Sequence, residues 1–153
     1  PNAVAIAKEL IQNGADIVTD TNMALAGINK RALARHGGEA HCFMADEKVA
    51  ALAKERGVTR ATVSMEFAAQ LNKPVIFAVG NAPTALIRLY EMIAGGESRP
   101  AFIIGVPVGF VNVEAAKELI LKTDVPYIIN RGRKGGSNVA AAICNALLYE
   151  LWR

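Results

Sequence analysis

The chain has 153 residues, 52% of them hydrophobic and 6% aromatic, and its 17 Lys and Arg against 14 Asp and Glu give a formal net charge of +3. This size fits one domain over residues 1–153, able to bury about two thirds of its unfolded-chain surface; the weak charge and few rings exclude a dedicated nucleic-acid binder, which needs a basic face interleaved with stacking aromatics. Cys42 and Cys144 stand outside any C-x-x-C or Cys/His ligand spacing and read as buried reduced thiols of a cytoplasmic protein with no metal site, while the longest apolar runs, such as 101–111, contain Gly and Pro and fall short of a membrane span.

Pro1 stands where a Met would, and an amphipathic helix follows at once. Its apolar stripe is Ala3, Ile6, Ala7, Leu10 and Ile11, and Gly14 is its stop. The expectation is an excerpt of a longer chain. Asp16–Thr19 reads as a short strand, followed by the loop Asp20-Thr21-Asn22-Met23 and a helical start over 23–28. Residues 39–44 read as a second strand; Asp46 caps a helix to Arg56 that Gly57 ends, and Thr59 caps the next, with Ala61, Ser64, Met65, Ala68 and Ala69 on one face. A third strand spans 74–79. Gly80-Asn81-Ala82-Pro83-Thr84 then turns into a helix that buries Leu86, Leu89, Tyr90 and Ile93, with Pro near the first helical position, where its missing N–H costs nothing.

After the break at Gly95-Gly96, residues 101–104 form a fourth strand and 105–111 a loop. Asn112 is expected to cap a helix with Val113, Ala116 and Ile120 inward, and 125–129 is the fifth strand. Short apolar strands alternating with amphipathic helices predict an α/β fold: an open, mostly parallel five-stranded sheet with helices on both faces, joined by right-handed crossovers.

In such a sheet the strand-to-helix loops share the carboxyl edge, and ligands bind there near a switch in strand order. The loops at 20–23, 80–84, 105–112 and 130–137 should share that rim. The last is the most unusual. Asn130-Arg131-Gly132-Arg133-Lys134-Gly135-Gly136-Ser137-Asn138 leads into a helix with Val139, Ala142, Ile143, Ala146 and Leu147 as its stripe, and no Asp or Glu occurs between Asp124 and Glu150 to neutralise its cations. Unpaired amides at the positive end of a helix dipole, with cations added, suit an acidic ligand. The spacing fits neither G-x-x-x-x-G-K-[ST] nor G-x-G-x-x-G, and a solvated basic loop with turn-forming glycines is an equal alternative.

Each loop taken singly has a plain reading as well. Asp20 and Asn22 suit helix caps, as do Asn81 and Thr84, and Gly105 and Gly109 suit tight turns. Arg60 at a helix start opposes the dipole, which favours an anionic partner there.

Together, Asp20-Thr21-Asn22-Met23 with Gly27-Ile28, Thr59-Arg60, Gly80-Asn81-Ala82-Pro83-Thr84-Ala85-Leu86, Gly105-Val106-Pro107-Val108-Gly109-Phe110-Val111 and Arg131-Gly132-Arg133-Lys134-Gly135-Gly136-Ser137 resemble the signature blocks of the precorrin-8X methylmutase family, with its cobalt-precorrin-8 counterpart. The resemblance runs through the whole chain in order. It implies an isomerase of cobalamin (vitamin B12) biosynthesis, which moves a methyl group between neighbouring ring carbons of a tetrapyrrole to give hydrogenobyrinate or cobyrinate. It implies no redox cofactor, a corrinoid substrate edged with carboxylates, and a homodimer with its sites near the subunit interface.

By this resemblance Arg60 is the catalytic arginine, clamping a substrate carboxylate or polarising the ring. Asp20, Thr21, Asn22, Met23, Asn81, Thr84, Arg131, Arg133 and Ser137 are carried over as substrate contacts. Gly132, Gly135 and Gly136 are expected to let the backbone approach the ligand. The family's proposed general acid is a His in an Arg-Met-[Ile/Val]-His motif, expected upstream of Pro1, and His36 and His41 do not match it. Two other readings stand beside this one: a non-catalytic corrinoid-binding protein, and an α/β enzyme of phosphorylated metabolites using the 130–137 loop.

Overall fold

Runs of Val, Ile and Phe that bury both faces make the central strands, a composition suited to a parallel sheet covered on both sides. The computed structural model describes residues 2–109, 112–130, 132 and 134–151. In chain order its elements are α1 (Ala3–Gln12), β1 (Asp16–Thr19), α2 (Asn22–Gly27), α3 (Lys30–Ala34), β2 (Ala40–Cys42), α4 (Glu47–Arg56), α5 (Arg60–Ala68), β3 (Val75–Val79), α6 (Pro83–Ala94), β4 (Phe102–Gly105), α7 (Val113–Leu121), β5 (Tyr127–Ile129) and α8 (Ser137–Leu151). The five strands lie in the order β2-β1-β3-β4-β5, and every neighbouring pair is parallel.

Alternate side chains of the strands feed two cores. On one face Ile17, Ile76, Ala78, Phe102 and Ile104 meet Ala7 and Ile11 of α1, Leu33 of α3 and Ala140, Cys144 and Leu147 of α8. On the other, Val18, Phe77, Val79 and Ile103 meet Met65 of α5, Leu86 and Leu89 of α6 and Ile120 of α7. Each fully buried side chain the size of Phe77 or Phe102 stabilises the fold by about 1.5–3 kcal/mol. The expected sheet with helices on both faces is the observed one, with all of its strands parallel.

The caps also follow the sequence. Asp46 Oδ1 accepts from Lys48 N at 2.8 Å, Thr59 Oγ1 accepts from Thr62 N at 3.1 Å, and Gly57 ends α4 in the left-handed region at φ 68°. Pro83 opens α6 at its first position. Asn112 holds the N-cap position of α7, but at φ 62° it makes no side-chain cap bond, so the expected capping role is absent. β5 starts at Tyr127, later than expected, because Pro126 has no N–H for a ladder, although its carbonyl still accepts from Ile103 N at 3.0 Å.

Three further differences have packing causes. The helix α3 went unread because it is one turn long and cationic; Asn29 caps it through Ala32 N. Tyr90 and Ile93 are half-buried, and Met92 takes the inward place on α6. On α8 the buried face is Ala140, Ala141, Cys144, Leu147 and Leu148, whereas Val139, Ala142 and Ala146 are exposed. An Ala-rich helix carries little periodic contrast, so its rotation is set by neighbours: α8 packs on α1, α2 and α3, and Asn145 fixes it by accepting from Asn29 N at 2.8 Å and donating to Gly27 O at 2.7 Å. Both cysteines are free, and burial pushes the Cys144 thiol up to about 12.

The amino edge of the sheet carries its own charge network. Asp16, 3% exposed, accepts from Lys73 Nζ at 2.6 Å and Glu39 N at 2.9 Å through Oδ1, while Oδ2 meets His41 Nε2 at 2.9 Å. Burial would raise this carboxyl, but the hydrogen bonds from Lys73, His41 and Glu39 outweigh it and hold it below its ordinary value. A carboxyl lowered in the folded chain stabilises fully above its unfolded-state value, and the contribution is lost as pH falls through the folded value. Asp16→Asn is therefore expected to cost about 1–3 kcal/mol at neutral pH, since Lys73 and His41 keep partial access to water. The variant should also lose less stability than the parent as pH falls from about 5 to 2. Urea unfolding across that range measures both; an identical acid limb in the two proteins would mean that other carboxylates set it.

Candidate functional site

The strand order reverses between β1 and β3, so the chain leaving β1 and the chain leaving β3 diverge and open a crevice at the carboxyl edge. There the loops after β1, β3, β4 and β5 meet. They enclose a cleft of about 410 Å³ lined by Thr21 and Met23, by Gly80 and Asn81, by Val108, and by Gly135, Gly136, Ser137 and Asn138. A second hollow of about 310 Å³ beside α3 and α8 is lined by Asn29, Ala32, Asn145, Leu148 and Tyr149, with no charged group among the described residues that line it.

The cleft is held from below by Asp20. Its side chain is fully buried, with Oδ1 accepting from Gly80 N at 2.8 Å and Oδ2 from Asn81 N at 2.9 Å and Ala82 N at 2.6 Å. Burial pushes this carboxyl above its usual range, and the three amides pull it back in part. In this geometry the oxygens of Asp20 are spent on the backbone of the next loop. Thr21, and not Asn22, caps α2 through Ala24 N, and its hydroxyl shares a 2.8 Å hydrogen bond with Ser137 Oγ across the cleft floor. Asn22 lies exposed in the first turn of α2.

Close backbone contacts lock the other walls. Gly136 N donates to Val106 O at 2.8 Å, and Val106 N donates to Val79 O at 2.8 Å. A Cβ on Gly135 would stand 2.0 Å from Val106 O, and one on Gly80 would stand 2.7 Å from Gly136 O. These glycines are therefore required by loop-against-loop packing. Gly132 and Gly136 have open space at the Cβ position and take φ of 89° and 127°, so their requirement is conformational.

Arg60 occupies the first turn of α5, exposed and with no hydrogen bond or ion pair among the described residues. Its neighbour Thr59 donates from Oγ1 to Thr84 Oγ1 at 3.0 Å, which puts the start of α5 beside the start of α6 on the carboxyl edge. Neither Arg60 nor Thr84 lines the cleft. Arg131 and Arg133 lie outside the described residues. His41 bonds Asp16 toward the amino edge, and His36 sits in the turn entering β2 from that same edge, so both stand on the other side of the sheet from the cleft.

Val108 and Asn138 join the lining although neither was singled out from the sequence. Lys117 was not singled out either; it lies outside the lining, is only 2% exposed and donates from Nζ to Asn130 Oδ1, Gly132 O and Lys134 O. The signal existed: Lys117 falls within the inward stripe of Val113, Ala116 and Ile120, where a cation is out of place.

Residues 1–150 match the family model described as precorrin-8X methylmutase. The cobalt-precorrin-8 methylmutase of Priestia megaterium is 43% identical over 147 residues, 96% of this chain and 65% of that protein. The protein of the same name from Salmonella typhimurium is 48% identical over 139 residues, 88% of this chain and 63% of its own length. The chain thus spans a little under two thirds of the length of these two relatives. A crystal structure of precorrin-8X methyl mutase from Thermus thermophilus superposes with a TM-score of 0.86 at 39% identity, covering 97% of this chain and 72% of the other.

Two substitutions test how the cleft is built. Asp20→Asn places an NH₂ among three amide donors and is expected to cost about 2–4 kcal/mol, lowering Tm by roughly 5–15 °C for a chain of this size. Gly135→Ala drives a methyl into the Val106 carbonyl and should destabilise at least as much as a typical overpacked core site, about 1–3 kcal/mol. Thermal unfolding followed by circular dichroism reads both; near-parental melting of either variant would show that the loop contact concerned is dispensable.

Proposed function

The chain belongs to the precorrin-8X methylmutase family, and from that premise we propose that it binds a carboxylate-edged tetrapyrrole at the carboxyl edge of its sheet and serves the intramolecular methyl migration of cobalamin biosynthesis. The convergence of the four strand-to-helix loops in one cleft supports this reading best. Amides, hydroxyls and the Asn81 side chain line part of it, and exposed Met23 and Val108 line the rest. Such a surface suits a ligand with an apolar ring and an acidic border. An opening of about 410 Å³ would take one edge of a macrocycle and leave the remainder to be covered from outside.

In this reading, Arg60 is the cation that meets the reacting edge. An exposed guanidinium with no partner among the described residues is available to fork a carboxylate or to stabilise charge as it shifts around the ring. Thr21, Asn81, Ser137 and the amides of the glycine loop orient the ligand, with Arg131 and Arg133 adding charge. Methyl migration breaks one C–CH₃ bond and forms another with no net gain or loss of electrons, so the reaction calls on no redox cofactor. A homodimer belongs to the same proposal. Sedimentation equilibrium at micromolar concentration is expected to return twice the monomer mass, and a monomer would remove that part.

Absorbance titration with hydrogenobyrinic acid, beside turnover of precorrin-8X, tests the main reading. Saturable binding is expected for the parent, weakened about tenfold or more in Arg60→Ala, equivalent to about 1.4 kcal/mol. Unfolding stability of that variant should stay within about 0.5 kcal/mol of the parent, because Arg60 is exposed and makes no hydrogen bond or ion pair among the described residues. Binding without turnover would favour the corrinoid-binding alternative, and failure to bind would refute the proposal for this chain.

A further inference from the structure

A buried ammonium is costly unless all of its protons find acceptors, and an apolar residue of the same length usually packs more cheaply. Lys117 carries such a charge, at 2% exposure, on the inward face of α7. All three of its protons are used: Asn130 Oδ1 at 3.1 Å, Gly132 O at 2.8 Å and Lys134 O at 3.1 Å. None of these partners is a carboxylate, and all three come from one five-residue stretch. The same stretch is closed on itself by Asn130 Nδ2, which donates to Lys134 O at 2.7 Å.

The arrangement is the converse of Asp20. There an anion gathers three amides of the loop after β3; here a cation gathers three oxygens of the loop after β5. Interleaved with those three acceptors in the sequence are Arg131 and Arg133, and two residues further on begins the wall of the cleft, Gly135 to Asn138. Drawing the oxygens of Asn130, Gly132 and Lys134 to one interior point also removes them as repulsive partners for an approaching anion.

We propose that Lys117 is a positioning residue: its charge organises the loop from Asn130 to Lys134 for an anionic ligand edge without touching that ligand. The ligand part rests on the tetrapyrrole reading above; the ordering of the loop does not. Burial pushes the Lys117 ammonium below its ordinary value, and Glu114, earlier on the same helix, pushes it back up.

Lys117→Met keeps the length and removes the donors. Hydrogen–deuterium exchange read by mass spectrometry, with no ligand present, is expected to speed at least about tenfold in peptides covering 130–138 and to stay unchanged over β3 and β4. Unchanged exchange in 130–138 would overturn the proposal, and uniformly faster exchange would do so too, since it would make Lys117 a general support of the core. If Lys117→Met does not fold, Asn130→Ala removes one acceptor and the closing bond from the outer side, and the same local gain in exchange is required of it.

The second arm is the hydrogenobyrinic acid titration. Lys117→Met should bind about tenfold more weakly or worse, and that loss should vanish when Arg131→Ala and Arg133→Ala are already present but persist on the Arg60→Ala background. Equal losses on both backgrounds would show that Lys117 does not act through this loop. Absence of corrinoid binding by the parent chain would count against the functional reading alone, because the exchange arm still decides the role of Lys117.

Discussion

The Asp20 carboxylate, buried beneath the carboxyl edge with three backbone amides from the loop after β3, is the contact on which the cleft depends. It ties the end of β1 to the start of α6 across the point where strand order reverses. A crevice at a switch point arises because neighbouring loops leave in opposite directions, and nothing in the sheet itself fixes their spacing. Asp20 supplies that fixing. With β1 and β3 joined above the sheet, the loops after β4 and β5 can pack against the pair through the Gly136–Val106 and Val106–Val79 bonds.

Small residues then determine how closely those loops approach. The Val106 carbonyl occupies the place of a Cβ at Gly135, and the Gly136 carbonyl lies within 2.7 Å of one at Gly80. Each glycine gives up side-chain packing so that backbone polar groups can meet and be satisfied at the surface. The result is a rim built largely of main chain, with Thr21 and Ser137 hydroxyls joined across it.

Charge is distributed between the two edges of the sheet in different ways. At the amino edge Lys73 pairs with Asp16, and His41 hydrogen-bonds the same carboxylate. Among the described residues, Arg60 at the carboxyl edge has no partner, and the deeply buried cation Lys117 is spent on loop oxygens. The same asymmetry places both histidines away from the cleft.

Much of this was legible in the sequence. The alternation of apolar strands with amphipathic helices, the caps at Asp46 and Thr59, the stop at Gly57 and the Pro83 start are local signals, and the elements formed where those signals stood. The order of the loops and their motifs also carried the family, because a motif is a property of the chain read in line. What local patterns could not carry was the destination of a side chain. Asp20 looked like a surface contact because its partners lie 60 to 62 positions further on, and the rotation of α8 escaped a periodicity reading because alanine on every side gives no contrast. Sequence by itself determined the elements, their order and which polar loops gather at one edge; only the tertiary structure decided which charges stay exposed and which hold the loops, because burial and hydrogen-bond partnership are set by neighbours that the chain brings together from afar.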